Sequence, residues 1–120
     1  MDNTEINRLM AVHVMGWHLS PGGEDWLNDD ARRESKVYSW TPTTNIADAF
    51  QVRDKVHSWL FSKRLAFKRS LQHIISERVG SDIGALVHTE EIILLVQPKD
   101  ICLAALNVVG VEVQDAKTLR

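Results

Sequence analysis

The sequence predicts an α+β fold, a layered α/β sandwich with a partly antiparallel sheet. Three observations support this prediction. Apolar residues recur every three or four positions in segments of helical length. Short runs of β-branched and aromatic residues lie between those segments. Ile92–Val96 is a continuous apolar run of strand length that needs a partner strand, and a hairpin supplies one. The predicted order is helix, short strands, helix, hairpin, helix, with the helices covering the sheet.

The composition indicates a small globular protein. The chain has 120 residues, 44% of them apolar and 25% charged, so we expect one domain over residues 1–120. A net charge of -2 argues against general binding to DNA or RNA, which needs an excess of cations. The single Cys102 cannot form an internal disulfide, and no run is long enough to span a membrane. We therefore expect a soluble intracellular protein.

The first predicted element is a helix from Thr4 to Met15. Four residues at helical spacing define one face of it: Ile6, Leu9, Met10 and His13. Gly16 is placed to end this helix, because glycine adopts a left-handed conformation without a steric penalty.

Residues 17 to 42 predict extended pieces around a loop. Trp17–Leu19 is a short extended segment. Glu24–Lys36 is polar and predicts a loop, with at most one short strand around Trp26, whose side chain anchors the loop to the body. Val37–Trp40 combines β-branched and aromatic residues, which predicts a strand that Pro42 stops.

The next segment, Asn45–Phe61, carries the strongest helix signals. Asn45 with Asp48 three residues later can act as a capping pair, or Thr44 can cap the helix instead. Six apolar residues predict one buried stripe: Ile46, Ala49, Phe50, Val56, Trp59 and Leu60.

The stretch from residue 64 to 79 is compatible with a strand and with a helix. We favour a strand for Leu65–Arg78, because the apolar run in Ala85–Val96 requires a partner across the turn at Gly80–Gly84. A two-residue turn would place His73 opposite His88.

The last predicted helix begins at Pro98, whose missing N–H has no cost at a first helical position. Asp100 lies in the favourable first turn, and Gly110 ends the helix. Val111–Val113 is expected to add an edge strand.

Three stretches carry a family resemblance. They are Met15–Trp17, Trp40–Ala49, and Pro98–Leu106 followed by Val108–Gly110. In order and spacing the chain resembles the phage ABA sandwich domain family. The resemblance implies a phage or prophage origin and an α/β sandwich, and it implies no catalytic residues.

We expect no catalytic or metal site and no cofactor. The histidines do not form a pair at the helical ligand spacing of four, and His73 with His88 would supply only half of a closed zinc site. The serines sit in no recognisable nucleophile motif. Cys102, near a helix start, is either a thiol of lowered pKa or a small core residue.

A ligand site is predicted at the start of the Asn45 helix. Hydroxyls there accompany free backbone N–H groups, which suit an anion, aromatic residues offer a platform for a base, and a basic run can meet phosphates. The candidate residues are Trp17, Tyr38, Trp40, Thr41, Thr43, Thr44, Lys68 and Arg69. The alternative reading is that the threonines only cap and the tryptophans only pack.

These features lead to a ranked expectation. First is a homo-oligomeric phage accessory protein in the host cytoplasm that sequesters a small anionic, nucleotide-type signal of host defence without turnover. Second is an inhibitor of a host protein that acts through the basic segment or the Trp26 loop. A hydrolase with a metal in the hairpin ranks last.

Overall fold

A computed structural model describes residues 2–79 and 96–111, with the side chain of Val79 left out. Its elements in chain order are helix α1 (Asn3–Leu9), a π-helical turn (Met10–Val14), strands β1 (His18–Leu19), β2 (Asp25–Leu27) and β3 (Arg33–Lys36), a 3-10 turn (Val37–Ser39), and helices α2 (Ile46–His57), α3 (Phe61–Val79) and α4 (Pro98–Val108). The α+β prediction is confirmed. None of the helices in these ranges is both long and apolar enough to cross a membrane.

The described sheet has three antiparallel strands in the order β1-β2-β3. The prediction of a loop with at most one strand in Glu24–Lys36 is wrong, because β2 and β3 both lie there. The side chain of Trp26 is buried, as predicted, and it holds β2 against the body. The polar neighbours remain compatible with strands because they pair across the sheet: Asp25 Oδ1 lies 3.9 Å from Arg33 Nη1 and 3.7 Å from Lys36 Nζ.

The predicted first helix is present, but its second half is π-helical. Met15 N donates to Met10 O at 3.0 Å, and Trp17 N donates to Ala11 O at 2.8 Å. Gly16 between them has φ +77°, a conformation that glycine adopts freely. This wide turn brings Trp17 back against the core. The buried residues of α1 and the π-helical turn are Ile6, Met10, Ala11 and Val14. His13, which was predicted on the same face as Ile6, is exposed.

The predicted strand at Val37–Trp40 is wrong. Pairing with β2 ends at Lys36, which is opposite Asp25. The chain then forms the 3-10 turn, and Trp40 N donates to Lys36 O at 3.2 Å. Without a partner strand, these β-prone residues make a corner instead.

Helix α2 begins as predicted, with Asp48 N donating to Asn45 Oδ1 at 3.1 Å. It ends at His57 rather than at Phe61. The predicted stripe is partly wrong: Ala49 and Val56 are buried, joined by Val52, which was not predicted. Three of the predicted residues are exposed, namely Ile46, Phe50 and Leu60.

The predicted strand at Leu65–Arg78 is wrong, because this segment lies within helix α3. The same apolar residues satisfy a helical repeat: Phe67, Leu71, Ile74 and Ile75 are buried or half-buried, and α3 packs along α4. His73 is exposed on this helix. His88 and the predicted partner strand up to residue 95 lie outside the described residues.

Helix α4 is the centre of the core. It contacts α1, the π-helical turn, α2 and α3. Its buried apolar residues are Ile101, Cys102, Ala104, Ala105 and Leu106. Pro98 begins the helix, and Gly110 follows its end with φ +82°; both placements were predicted. Val111 is not in a strand, and the rest of the predicted edge strand lies outside the described residues.

Candidate functional site

The corner between the 3-10 turn and α2 is held together by Thr41. Its carbonyl oxygen accepts from Thr44 N at 3.0 Å and from Asn45 N at 2.8 Å. Its own N–H donates to Asp48 Oδ2 at 2.9 Å. The Asp48 carboxylate therefore ties the residues before α2 to the helix, while the Asp48 N–H donates to the capping side chain of Asn45. The negative carboxylate also lies in the first turn of α2, where it complements the helix dipole.

Thr43 joins this corner to α1. Its N–H donates to Asn7 Oδ1 at 3.1 Å, and the residue is 4% exposed. Its Oγ1 is buried and has no hydrogen-bond partner within the described ranges. The N–H groups of Thr43, Thr44 and Asn45, which were predicted to be available to an anion, thus donate to groups of the protein. These N–H groups are therefore not free to bind an anion at this corner.

The two tryptophans of the predicted platform pack on each other. The ring centroids of Trp17 and Trp40 are 4.7 Å apart, and the rings are tilted by 60°. Both residues are buried. The indole Nε1 of Trp40 donates to Gln51 Oε1 at 2.7 Å, which fixes the ring against α2. Trp40 of this pair forms a wall of a site, with Trp17 packed behind it, rather than an open platform.

A groove of about 210 Å³ lies in front of this wall. One side is formed by α1 and the other by the 3-10 turn and the residues after it. The lining residues are Thr4, Asn7, Arg8, Trp26, Val37, Tyr38, Trp40 and Thr41. The lining combines a guanidinium, hydroxyls, an amide and aromatic rings, and the described lining residues include no carboxylate, imidazole or thiol.

Arg8 and Tyr38 supply the two accessible recognition groups of this groove. Tyr38 is 77% exposed, so one face of its ring is open to a ligand. Arg8 is exposed, and within residues 2–79 and 96–111 it forms no ion pair. A guanidinium binds phosphate or carboxylate with two parallel hydrogen bonds. An open phenol ring stacks on planar groups.

The predicted site residues are only partly brought together. Tyr38, Trp40 and Thr41 line the groove, and Trp17 supports Trp40 from behind. Thr43 is buried in the link to α1, and Thr44 is exposed at the cap. Lys68 and Arg69 are exposed on α3 and are not among the lining residues.

Five lining residues were missed by sequence reasoning: Thr4, Asn7, Arg8, Trp26 and Val37. Nothing in the first helix distinguishes Arg8 from an ordinary solvent-facing arginine. Tertiary contacts, among them the hydrogen bond between Asn7 and Thr43, bring this helix face to the same groove as Tyr38.

The residue types considered for metal binding or catalysis do not form a metal-binding cluster in the described parts of the chain. No group of three or more His, Cys, Asp or Glu side chains is placed there to hold a metal ion. Burial raises the pKa of the Cys102 thiol from 9.0 to about 12. Of the two readings of Cys102, the structure supports the core residue, because a thiol with such a pKa stays protonated.

Comparison with known proteins gives one match. The family model described as the phage ABA sandwich domain matches residues 8–106. Arg8, Tyr38, Trp40 and Thr41 of the groove all fall inside this range. No curated protein and no solved structure matches the chain.

Proposed function

The chain belongs to the phage ABA sandwich domain family, and on that premise we propose that it is a phage accessory protein that binds a small anionic ligand of nucleotide type without converting it. The observation that carries the proposal is the groove in which Arg8 and Tyr38 both line the wall. A nucleotide has the two groups that this pair recognises, a phosphate and a planar base.

The groove chemistry suits each part of such a ligand. Arg8 is free in the described parts of the chain to take a phosphate through charge-assisted hydrogen bonds. The exposed ring of Tyr38 can stack on a base, a contact worth about 1–3 kcal/mol per base in proteins that bind single strands. Thr4 and Thr41 line the groove with hydroxyls for sugar or base edges.

The groove volume limits how the ligand is held. Pockets that enclose drug-sized molecules typically measure roughly 300–1,000 Å³, and this groove measures about 210 Å³. It therefore suits one nucleotide unit held partly in solvent, against the open ring of Tyr38. A cyclic or linear dinucleotide would leave its second unit outside.

The lining supports the proposal of binding without turnover. None of the eight lining side chains is a carboxylate, imidazole or thiol, the groups that most often act as general acids, bases or activated nucleophiles. The family membership supports a phage setting. The proposed role is sequestration of a nucleotide-type defence signal in the host cytoplasm by a homo-oligomer, whose size sedimentation would measure.

A ligand panel tests this proposal. The pure protein is incubated with linear and cyclic nucleotides, its melting temperature is measured, and any bound ligand is recovered after heat denaturation and identified. A melting shift with intact ligand supports sequestration. A shift with altered ligand contradicts binding without turnover, and no shift with any nucleotide contradicts the proposal as a whole.

The matched variants are Arg8→Ala and Arg53→Ala. Both remove an exposed arginine from a helix, but Arg53 pairs with Asp54 away from the groove. We expect only Arg8→Ala to abolish the melting shift. Equal shifts in the two variants would place the ligand elsewhere.

A second candidate function is inhibition of a host protein through an exposed face. Of the two faces considered, the Trp26 loop cannot offer its tryptophan to a partner, since Trp26 is 2% exposed and holds the sheet against the body. The basic segment remains exposed and lies beside two exposed apolar side chains, Leu60 and Phe61. This observation favours the basic segment as the interacting face.

A further inference from the structure

The link between α2 and α3 exposes two adjacent large apolar side chains. Leu60 is 75% exposed and Phe61 is 70% exposed, whereas their neighbour Trp59 packs against the core. Covering such side chains is favourable, because it removes apolar surface from water. Adjacent exposed apolar residues with a polar rim are typical of interaction sites. We call residues 57–64 the α2–α3 corner.

The rim of this corner is strongly basic in a chain of net charge -2. Between residues 53 and 69 the cations are Arg53, Lys55, Lys63, Arg64, Lys68 and Arg69, and the only anion is Asp54. All seven are exposed. Asp54 is already paired with Arg53. In the described parts of the chain, Lys63 and Arg64 have no carboxylate partner.

The first turn of α3 adds to the positive potential. It contains Lys63 and Arg64 and no acidic residue. The N-terminus of a helix carries a partial positive charge, so cations there are unfavourable and carboxylates favourable. Carboxylates from a partner would relieve this repulsion.

Arg64 places a positive charge next to the exposed apolar side chain of Phe61. Its guanidinium carbon lies 5.9 Å from the centroid of the Phe61 ring, within the range of a cation–π contact. A partner that covers Phe61 therefore meets the positive charge of Arg64 at the same place.

We propose that the α2–α3 corner docks an acidic amphipathic segment of a partner protein, whose apolar side covers Leu60 and Phe61 and whose carboxylates meet Lys63 and Arg64. This inference goes beyond ligand binding in the groove and rests on the second candidate function. A nucleic acid fits less well. Phe61 could stack on a base, but the aliphatic Leu60 could not, and the chain as a whole is negative.

Fluorescence anisotropy with synthetic probes tests the proposal. The first probe is a labelled helical peptide of about 20 residues, five to six turns, with leucines along one face and glutamates on the other. The second has the same glutamates, with alanine in place of each leucine. The third is a single-stranded oligothymidine of equal charge. We expect the leucine peptide to bind at least about tenfold more tightly than either control, the effect of one good apolar contact.

Variants locate the binding surface. Leu60→Ser and Phe61→Ser should each weaken binding of the leucine peptide by about tenfold or more. Leu19→Ser is the matched control, because Leu19 is an exposed leucine on β1, and it should bind as the wild type does. Circular dichroism spectra and melting temperatures verify that each variant is folded.

The opposite results overturn the inference. These are no peptide binding, equal binding of the leucine and alanine peptides, tighter binding of the oligothymidine, or unchanged binding in Leu60→Ser and Phe61→Ser. The two proposals fail separately: Arg8→Ala should abolish the nucleotide melting shift and retain peptide binding. Leu60→Ser should do the reverse.

Discussion

Arg78 and Asp100 form an ion pair, with a buried carboxylate and a partly exposed guanidinium, that joins the end of α3 to the start of α4. Arg78 Nη2 donates to Asp100 Oδ2 at 2.8 Å, and Arg78 Nε donates to Asp100 Oδ1 at 3.2 Å. Gln97 N also donates to Asp100 Oδ2 at 2.9 Å. Asp100 is 3% exposed, so these three donors replace the hydrogen bonds to water that its carboxylate loses on burial. The pair fixes the two helices whose contact forms much of the core.

Loss of one partner of this pair should destabilise the protein. Breaking a buried pair typically costs about 3–5 kcal/mol; because Arg78 is partly exposed, we expect about 2–4 kcal/mol for Arg78→Ala. Urea unfolding measures this change. The control is Arg53→Ala, which breaks an exposed pair with Asp54 and should cost less than about 1 kcal/mol. Equal costs would contradict the structural role of the pair between Arg78 and Asp100.

Trp40 should tolerate phenylalanine better than alanine. Trp40→Ala removes a buried ring that packs on Trp17, so we expect a loss of about 3–5 kcal/mol in the free energy of unfolding. Trp40→Phe keeps an aromatic ring and removes the Nε1 bond to Gln51. It should cost about 1–2 kcal/mol. Denaturant unfolding of both variants gives the comparison, and similar losses would argue against a packed ring.

Two phenylalanines of α3 distinguish a helix from a strand. Phe67 is 8% exposed, and Phe61 is largely exposed. We expect Phe67→Ala to cost about 3–5 kcal/mol and Phe61→Ala less than about 1 kcal/mol. In a strand these residues, six positions apart, would share one face. Comparable losses in the two variants would therefore contradict the helical register.

Cys102 should make stability fall at alkaline pH. The thiol titrates at 9.0 when unfolded and at about 12 when folded, because burial disfavours the thiolate. The folded state therefore keeps the thiol proton at pH values where the unfolded state releases it. The free energy of unfolding falls as pH rises from 9 toward 12. At about pH 10.5 the loss should be about 2 kcal/mol relative to pH 8. Cys102→Ala should lack this part of the pH dependence, measured by urea unfolding at both pH values.

Groove variants should separate binding from folding. Tyr38→Ala removes an exposed ring, so the melting temperature of the free protein should hardly change, while nucleotide affinity falls about tenfold. Thr44→Ala is the control, because Thr44 lies outside the groove, and it should bind normally. Calorimetric titration gives both affinities. If Thr44→Ala weakens binding more than Tyr38→Ala, the ligand sits at the start of α2 instead.

Interactions between residues close in sequence made several helix caps and helix ends predictable. Asn45 and Asp48 cap α2 within one turn, Pro98 begins α4, and Gly16 and Gly110 follow helix ends with positive φ. The spacing of apolar residues indicated an α+β fold, and three short motifs together indicated the family. Each of these signals depends on neighbours within a few residues or on the order of motifs along the chain.

Long-range contacts decided the rest. The apolar pattern of residues 65–78 fits both a strand and a helix, and packing along α4 selects the helix. The β-prone residues Val37–Trp40 form a corner because β2 ends its pairing at Lys36. The bond between Asn7 and Thr43, 36 positions apart, is among the contacts that bring the two sides of the groove together. The sequence by itself thus determined caps, turns and fold class. Only the tertiary structure placed Arg8 and Tyr38 in one groove, because burial and pairing depend on contacts between distant segments.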